Sequence, residues 1–150
     1  MHTRLLGTSI LALTLAAVLS AACGTKSSET PGATGTAGTV AGGRVSQIDI
    51  GRSLNADKTI NGTTGSFKPT DTIYASIATE NTTAPTTLKA RWTYQDGQVV
   101  NESTQTIAPA GGARTEFHIS KPNGWPAGKY TLEVFLNGSS AATKDLEVER

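Results

Sequence analysis

The strongest constraint on the fold is a strict alternation of apolar and polar side chains that recurs through residues 73–148. The clearest run places four apolar side chains on one face of a strand: Leu88, Ala90, Trp92 and Tyr94. Similar runs lie at 73–79, 115–119, 130–136 and 146–148, and two weaker ones lie at 45–50 and 99–107. A period of two predicts half-buried antiparallel strands, and the weak pattern at 99–107 is typical of an edge strand.

The breaks between these runs carry turn residues. An Asp-Gly pair at 96–97 and an Asn-Gly pair at 137–138 each separate two alternating runs, as in tight β-hairpins. Residues 109–112 and 122–124 contain proline and glycine and mark further turns. About seven short strands with turns every 8–12 residues predict an all-β fold, a single antiparallel β-sandwich.

Three positions make this sandwich resemble an immunoglobulin-like domain. Residues 130–132 (Tyr-Thr-Leu) resemble the Tyr-x-Cys of strand F, with leucine in place of the cysteine. Trp92 stands where the buried tryptophan of strand C is expected, and Ile77 stands at the partner cysteine of strand B. The resemblance implies that apolar packing replaces the disulfide, with Trp92 and Leu132 as structural residues of the core. It also implies that Tyr130 forms a tyrosine corner.

The first 22 residues read as a cleaved leader. Residues 1–4 include one arginine, residues 5–19 are mostly apolar, and residues 20–22 are small. This three-part pattern is typical of a secretory signal peptide. The apolar stretch is shorter than the roughly 20 residues that a transmembrane helix needs. We therefore predict a signal peptide over residues 1–22.

Cys23, the single cysteine, follows that leader directly. Residues 19–23 (Leu-Ser-Ala-Ala-Cys) resemble the lipobox of bacterial lipoproteins, although the leucine stands one position further from the cysteine than usual. The resemblance implies lipidation of Cys23 with chains such as palmitate and a membrane anchor in the cell envelope. In Gram-negative lipoproteins an aspartate directly after the lipidated cysteine retains the protein in the inner membrane. This chain has Gly24 at that position, so in a Gram-negative source the resemblance implies the outer membrane, with the domain facing the periplasm. The alternative is an ordinary signal peptide followed by an unpaired thiol.

Composition then divides the mature chain. Residues 23–43 are mostly Gly, Thr, Ala and Ser, which predicts a flexible tether, and residues 44–150 form the immunoglobulin-like domain. One of the 13 Lys and Arg residues, Arg4, belongs to the leader, so the remainder balance 12 Asp and Glu residues. A near-neutral chain without a basic cluster does not favour a nucleic-acid partner.

The domain offers few candidates for chemistry. Beyond the leader its single histidine is His118, which alternation places on the solvent side of its strand beside Glu116. No nucleophile motif accompanies it, so we expect no catalytic residue, and one histidine provides neither a metal site nor a cofactor site. Glu133 and Glu147 are expected to be neighbours across the last hairpin.

Three aromatic residues are the best candidates for binding. Trp125 lies in a turn outside the strand pattern, and Tyr74 and Phe135 have the outward parity of their strands. Exposed aromatic rings can anchor a protein partner or stack on a sugar. The alternative is that Trp125 fills an open end of the sandwich and that Tyr74 and Phe135 lie under loops.

These patterns predict a membrane-anchored lipoprotein of the cell envelope that acts as a non-catalytic protein-binding or scaffolding module. Its partners would be the membrane, through N-terminal acyl chains, and another envelope protein. The first alternative is a domain that binds carbohydrate or cell-wall glycan around Trp125. A protease inhibitor or an enzyme is the third hypothesis.

Overall fold

The computed structural model describes residues 39–40, 43–108 and 111–150, and these residues form two packed β-sheets. Within them no helix is long and apolar enough to cross a membrane. The strands are β1 (Thr39–Val40), β2 (Gly43–Gly51), β3 (Ser66–Phe67), β4 (Ile73–Thr82), β5 (Thr86–Tyr94), β6 (Val99–Ile107), β7 (Gly111–Ile119), β8 (Gly128–Leu136) and β9 (Ser139–Val148).

The strand order is that of an immunoglobulin-like sandwich. One sheet has the order β1-β2-β4-β7 and the other the order β3-β9-β8-β5-β6. Strands β2, β4 and β7 occupy the A, B and E positions, and β9, β8, β5 and β6 occupy the G, F, C and C′ positions. All pairings are antiparallel except the short one between β3 and β9. The prediction of an all-β, immunoglobulin-like sandwich is therefore confirmed.

The core lies between the sheets and takes one side chain in two from each central strand. Ile77 on β4 and Leu132 on β8, which stand where the disulfide of the resembled family would lie, are both completely buried. Burial of apolar area is the main favourable term in folding, at about 25 cal/mol per Å². The largest fully buried side chains are Trp92, Tyr130, Phe67, Ile50, Ile73, Ile77, Leu88, Leu132, Leu136, Val45, Val134 and Val148.

Tyr130 fixes the loop that precedes β8. Its ring is buried, and its hydroxyl donates a hydrogen bond of 2.8 Å to the carbonyl oxygen of Pro126. This contact, from the start of strand F back to the backbone just upstream, defines a tyrosine corner. The hydroxyl of Tyr94 donates to the next carbonyl, that of Ala127, at 2.9 Å. Burial raises the pKa of the Tyr130 phenol, so the ring stays neutral.

We expect Tyr130→Phe to lower the free energy of unfolding by about 1–2 kcal/mol, because the Pro126 carbonyl loses its donor in a partly buried setting. Urea denaturation at neutral pH measures this change. Tyr94→Phe is the matched control and should cost less, since the Tyr94 ring is only partly buried and water can replace its hydroxyl. Equal losses in the two variants would contradict a special role for Tyr130.

Two short strands fall outside the alternating runs. β3 runs parallel to the end of β9, pairing Ser66 with Glu147 and Phe67 with Val148. β1 lies within residues 23–43, where the sequence predicts a tether, and pairs with the start of β2. The predicted leader (1–22) and Cys23 lie outside the described residues.

The register of the last hairpin differs from the sequence-based expectation. Glu133 faces Thr143 and Glu147 faces Lys129, so the prediction that Glu133 and Glu147 are neighbours is wrong. This register is set by the two-residue turn between β8 and β9 and by a β-bulge at Ala141 of β9, opposite Val134 and Phe135. Alternation alone predicts which face a side chain takes and leaves its cross-strand partner open.

Candidate functional site: the outer face around Phe135

The structure does not bring the three candidate aromatic residues together. Trp125 is buried, and its Nε1 donates to the Asp71 carbonyl oxygen at 3.1 Å. Its ring packs edge-on against Tyr130, with 6.0 Å between the ring centroids. This placement corresponds to the interpretation in which Trp125 fills one end of the sandwich. Its ring is not presented for stacking on a ligand.

Asp71 helps to hold that end of the sandwich together. Its Oδ2 accepts hydrogen bonds from the Lys68 backbone N–H at 2.8 Å and from Arg52 Nε at 2.7 Å. These two hydrogen bonds lower the pKa of the Asp71 carboxyl below its usual value, and the bond from the Lys68 N–H has the larger effect. The carboxylate therefore caps a turn and receives a cation, which is a structural role.

Tyr74 lies on the outer face of the four-stranded sheet and is half-buried. Its cross-strand neighbour on β7 is His118, and the two ring centroids are 5.5 Å apart. His118 Nδ1 lies 2.5 Å from Glu116 Oε1 on the same strand. The structure thus gives this histidine an aromatic neighbour and a carboxylate neighbour on an exposed strand surface.

Phe135 lies on the outer face of the other sheet, so it and Tyr74 are on opposite sides of the sandwich. Two cations from β5 lie over its ring. Lys89 Nζ is 4.4 Å from the ring centroid and Arg91 Cζ is 4.7 Å from it. A cation within about 6 Å of an aromatic face is attracted by the ring's negative π-surface. Phe135 is half-buried beneath these side chains, which explains how an outward aromatic ring is held in a fixed position.

Two carboxylates complete this surface. Glu102 Oε2 accepts a hydrogen bond from Arg91 Nε at 2.7 Å and lies 3.5 Å from Lys89 Nζ. Glu133 Oε2 lies 3.9 Å from Arg91 Nη1. The Arg91 hydrogen bond holds the pKa of Glu102 below its usual range. We call this group of five side chains the Phe135 platform: Phe135, Lys89, Arg91, Glu102 and Glu133.

The platform combines features of protein-binding surfaces. It is an outer strand surface that combines an aromatic ring with an arginine, and phenylalanine and arginine are both enriched at protein–protein interfaces. Its two cations are paired with two carboxylates, so it offers no free positive charge to a phosphate. Pattern reasoning identified Phe135 and left out Lys89 and Arg91, since only the register of β5 with β8 brings them together.

A separate, concave site lies between β2 and β9. This open cleft of about 360 Å³ is lined by Asp49, Ile50, Thr63, Thr64, Gly65, Lys144 and Asp145. Asp145 accepts a hydrogen bond from Thr131 Oγ1 at 2.8 Å. Asp49 accepts one from Gln47 Nε2 at 2.8 Å. The lining is mostly polar and has no aromatic ring.

Across residues 43–108 and 111–150, no three His, Cys, Asp or Glu side chains are grouped as metal ligands.

Comparison with known proteins shows likeness in fold. No protein-family model and no curated protein matches the sequence. The crystal structure of the C-terminal domain of wzt superposes with a TM-score of 0.54 at 8% identity, over 79% of this chain and 80% of that one. At such identity the likeness extends to the fold alone.

Two further solved structures are more distant in shape. An immunoglobulin-like protein from Pseudomonas aeruginosa gives a TM-score of 0.45 at 18% identity, over 75% of this chain and all (100%) of that one. The alkylpurine DNA glycosylase AlkC of Pseudomonas fluorescens, bound to DNA with an abasic-site analogue, gives 0.49 at 15% identity. The match covers 73% of this chain and only 31% of the glycosylase's length.

Proposed function

We propose that the chain is a bacterial lipoprotein, acylated on Cys23 and held at a membrane of the cell envelope by the segment 24–43. We further propose that its sandwich is a non-catalytic module that binds another envelope protein through the Phe135 platform. The lipobox-like sequence at 19–23 supports the first statement. The geometry around Phe135 supports the second.

The observation that carries the binding proposal is the outward-facing ring of Phe135, which the cations of Lys89 and Arg91 hold in a fixed position. Its side chain is in place before a partner arrives, so little conformational entropy is lost on binding. A partner that covers the ring would also shield the pairs between Arg91 and the two carboxylates from water, which strengthens them. The outer surface of a sheet suits another protein surface better than a small molecule, which needs a concave site.

We expect Phe135→Ala to weaken partner binding at least tenfold, because an aromatic hot spot typically contributes more than about 1.4 kcal/mol. Cells that carry the intact protein are treated with a crosslinker, and the adduct is quantified by immunoblotting and identified by mass spectrometry. Tyr74→Ala is the matched control, since it removes an aromatic ring of similar exposure from the opposite face. An adduct that survives Phe135→Ala, or disappears equally in Tyr74→Ala, would contradict the platform as the binding surface.

Binding of cell-wall glycan is the second candidate, and the polar cleft between β2 and β9 favours it. Carboxylates and hydroxyl groups are hydrogen-bonding partners for sugar hydroxyls, although Trp125 is not available as a stacking ring. Sedimentation with insoluble cell-wall glycan distinguishes the two functions. Loss of sedimentation in Asp145→Asn with retention in Phe135→Ala would favour the glycan.

A further inference from the structure

Each of three asparagines in the chain is followed directly by a glycine: Asn61, Asn123 and Asn137. Asparagine is among the thermally labile residues, and an Asn-Gly pair is a reactive setting for it, because glycine has no Cβ to obstruct its backbone nitrogen. That nitrogen can attack the side-chain amide carbon of the asparagine before it. The attack needs an amide that can rotate towards the nitrogen and a glycine N–H that no other acceptor holds.

The pair at 123–124 is held through its glycine. The Gly124 N–H donates a hydrogen bond of 2.9 Å to the Lys121 carbonyl oxygen. The next residue is fixed as well, since the Trp125 N–H donates to the Pro69 carbonyl oxygen at 2.8 Å and the Trp125 ring is buried. The Gly124 nitrogen can therefore reach the Asn123 side chain only after its own hydrogen bond has opened.

The pair at 137–138 is held through its asparagine. Asn137 Oδ1 accepts a hydrogen bond of 2.9 Å from the Thr87 N–H, and the Asn137 N–H donates to the Thr87 carbonyl oxygen at 2.8 Å. These two bonds fix both the side chain and the backbone of Asn137 in the turn between β8 and β9. Rotation of the amide towards the Gly138 nitrogen would break the bond from Thr87.

The pair at 61–62 is held at neither reacting group. Asn61 and Gly62 are both exposed, and within the described part of the chain neither the Asn61 side chain nor the Gly62 N–H has a hydrogen-bond partner. The Asn61 N–H donates to the Ser53 carbonyl oxygen at 3.0 Å, which anchors the backbone of the loop between β2 and β3. Apart from the two adjacent residues, no atom lies within 4 Å of the position that a Cβ on Gly62 would take, so the surroundings of this glycine are open.

We propose that Asn61 is a site of spontaneous deamidation. The Gly62 nitrogen attacks Asn61 Cγ, the bond from Cγ to the side-chain nitrogen breaks, and a cyclic succinimide forms. The proton of the Gly62 N–H passes through solvent to the leaving nitrogen, which departs as ammonia. Water then opens the ring at one of its two carbonyl groups and leaves either aspartate or isoaspartate at position 61. The reaction is faster at alkaline pH, because the attacking nitrogen must lose its proton.

Both products change the loop beside the cleft between β2 and β9. Each adds a negative charge at position 61, and isoaspartate also adds a methylene to the main chain. The loop contributes residues 63–65 to the lining of the cleft, which already contains the carboxylates of Asp49 and Asp145. Deamidation therefore makes this region more acidic as the molecule ages. The inference rests on residues 61–62 alone and holds whether or not the Phe135 platform binds a partner.

Peptide mapping by mass spectrometry tests this assignment in the intact protein. The folded protein is incubated in mildly alkaline buffer, and the deamidated fraction at each Asn-Gly pair is followed over time. We expect Asn61 to react at least about fivefold faster than Asn123 or Asn137, since a hydrogen bond must open before either of the other two reacts. In urea, where the hydrogen bonds that hold the other two pairs are lost, the three rates should become similar.

Anion-exchange chromatography provides the second measurement. The incubated protein should accumulate an acidic species, and this species should form about threefold more slowly in Asn61→Ser, where only the two slower pairs remain. Asn123→Ser is the matched control and should form it at nearly the original rate, because it removes a pair that is held. Equal or slower reaction at Asn61 in the folded protein, unequal rates that persist in urea, or undiminished formation of the acidic species in Asn61→Ser would overturn the assignment.

Discussion

Leu132→Asp should abolish folding of the sandwich. Leu132 is completely buried in the middle of β8, with Trp92 opposite it on β5. An ionised carboxylate at this position would lose its hydration, and a protonated one would still leave polar atoms unpaired in the core, at a cost of several kcal/mol. That cost is comparable to the total stability of a domain, about 5–15 kcal/mol. Circular dichroism and thermal unfolding of the variant should show no cooperative transition.

Two companion variants make this test specific. Lys144 lies opposite Leu132 on β9 and could form an ion pair with the new carboxylate, which would lower the cost of Leu132→Asp. Ala90 is also completely buried, and its cross-strand neighbours, Val134 and Ser103, carry no charge. Ala90→Asp should therefore fail to fold as well. Thr87→Asp introduces the same charge at an exposed position of β5 and should change stability by less than about 0.5 kcal/mol. A soluble Leu132→Asp protein that unfolds cooperatively would contradict the register of β8.

Cys23→Ser should release nearly all of the protein from membranes. Under the proposed function the two or three acyl chains on this cysteine are the anchor, and each buried methylene contributes about 0.8 kcal/mol. Serine has no thiol to receive the lipid, so the attachment is lost while the sandwich at 43–150 is unaffected. Fractionation of cells followed by immunoblotting measures the membrane-bound share before and after a high-pH wash.

Thr25→Ser is the matched control for this experiment, because it makes a similarly small change two residues from the cysteine. It should remain membrane-bound and resist the wash. If Cys23→Ser also stayed with the membrane, the anchor would lie elsewhere in the chain, and the lipoprotein proposal would fail. Its failure would leave the sandwich and the Phe135 platform untouched.

The alternation of apolar and polar residues was sufficient to predict which side chains of each strand face the core and which face outwards. The buried positions Trp92, Tyr130 and Leu132 and the outward positions Tyr74 and Phe135 all follow from a period of two, because a pleated strand has only two faces. The turn residues separated the strands well enough to indicate a sandwich. These local signals do not depend on which strands become neighbours.

Register and long-range pairing could not be predicted in the same way. The pairing of Glu133 with Thr143 depends on a bulge that alternation does not reveal. β3 has only two residues, and its parallel pairing brings together positions about 80 residues apart, such as Phe67 and Val148. The buried position of Trp125 comes from an acceptor on a distant loop, the Asp71 carbonyl.

The candidate site illustrates the same distinction. Phe135 was identifiable from its parity, but its significance depends on Lys89 and Arg91, which lie 44 to 46 residues earlier on β5. Those two residues read simply as the polar side of an amphipathic strand. The pairing of β5 with β8 turns three unremarkable outward side chains into one organised surface.

The anchor on Cys23 is the claim on which the proposed cellular role rests, and mass spectrometry of the native protein tests it most directly. We expect the N-terminal peptide of the purified protein to begin at Cys23 and to carry a diacylglyceryl group on sulfur. A free thiol at that position, cleavage elsewhere, or a leader still joined to the domain would contradict the account.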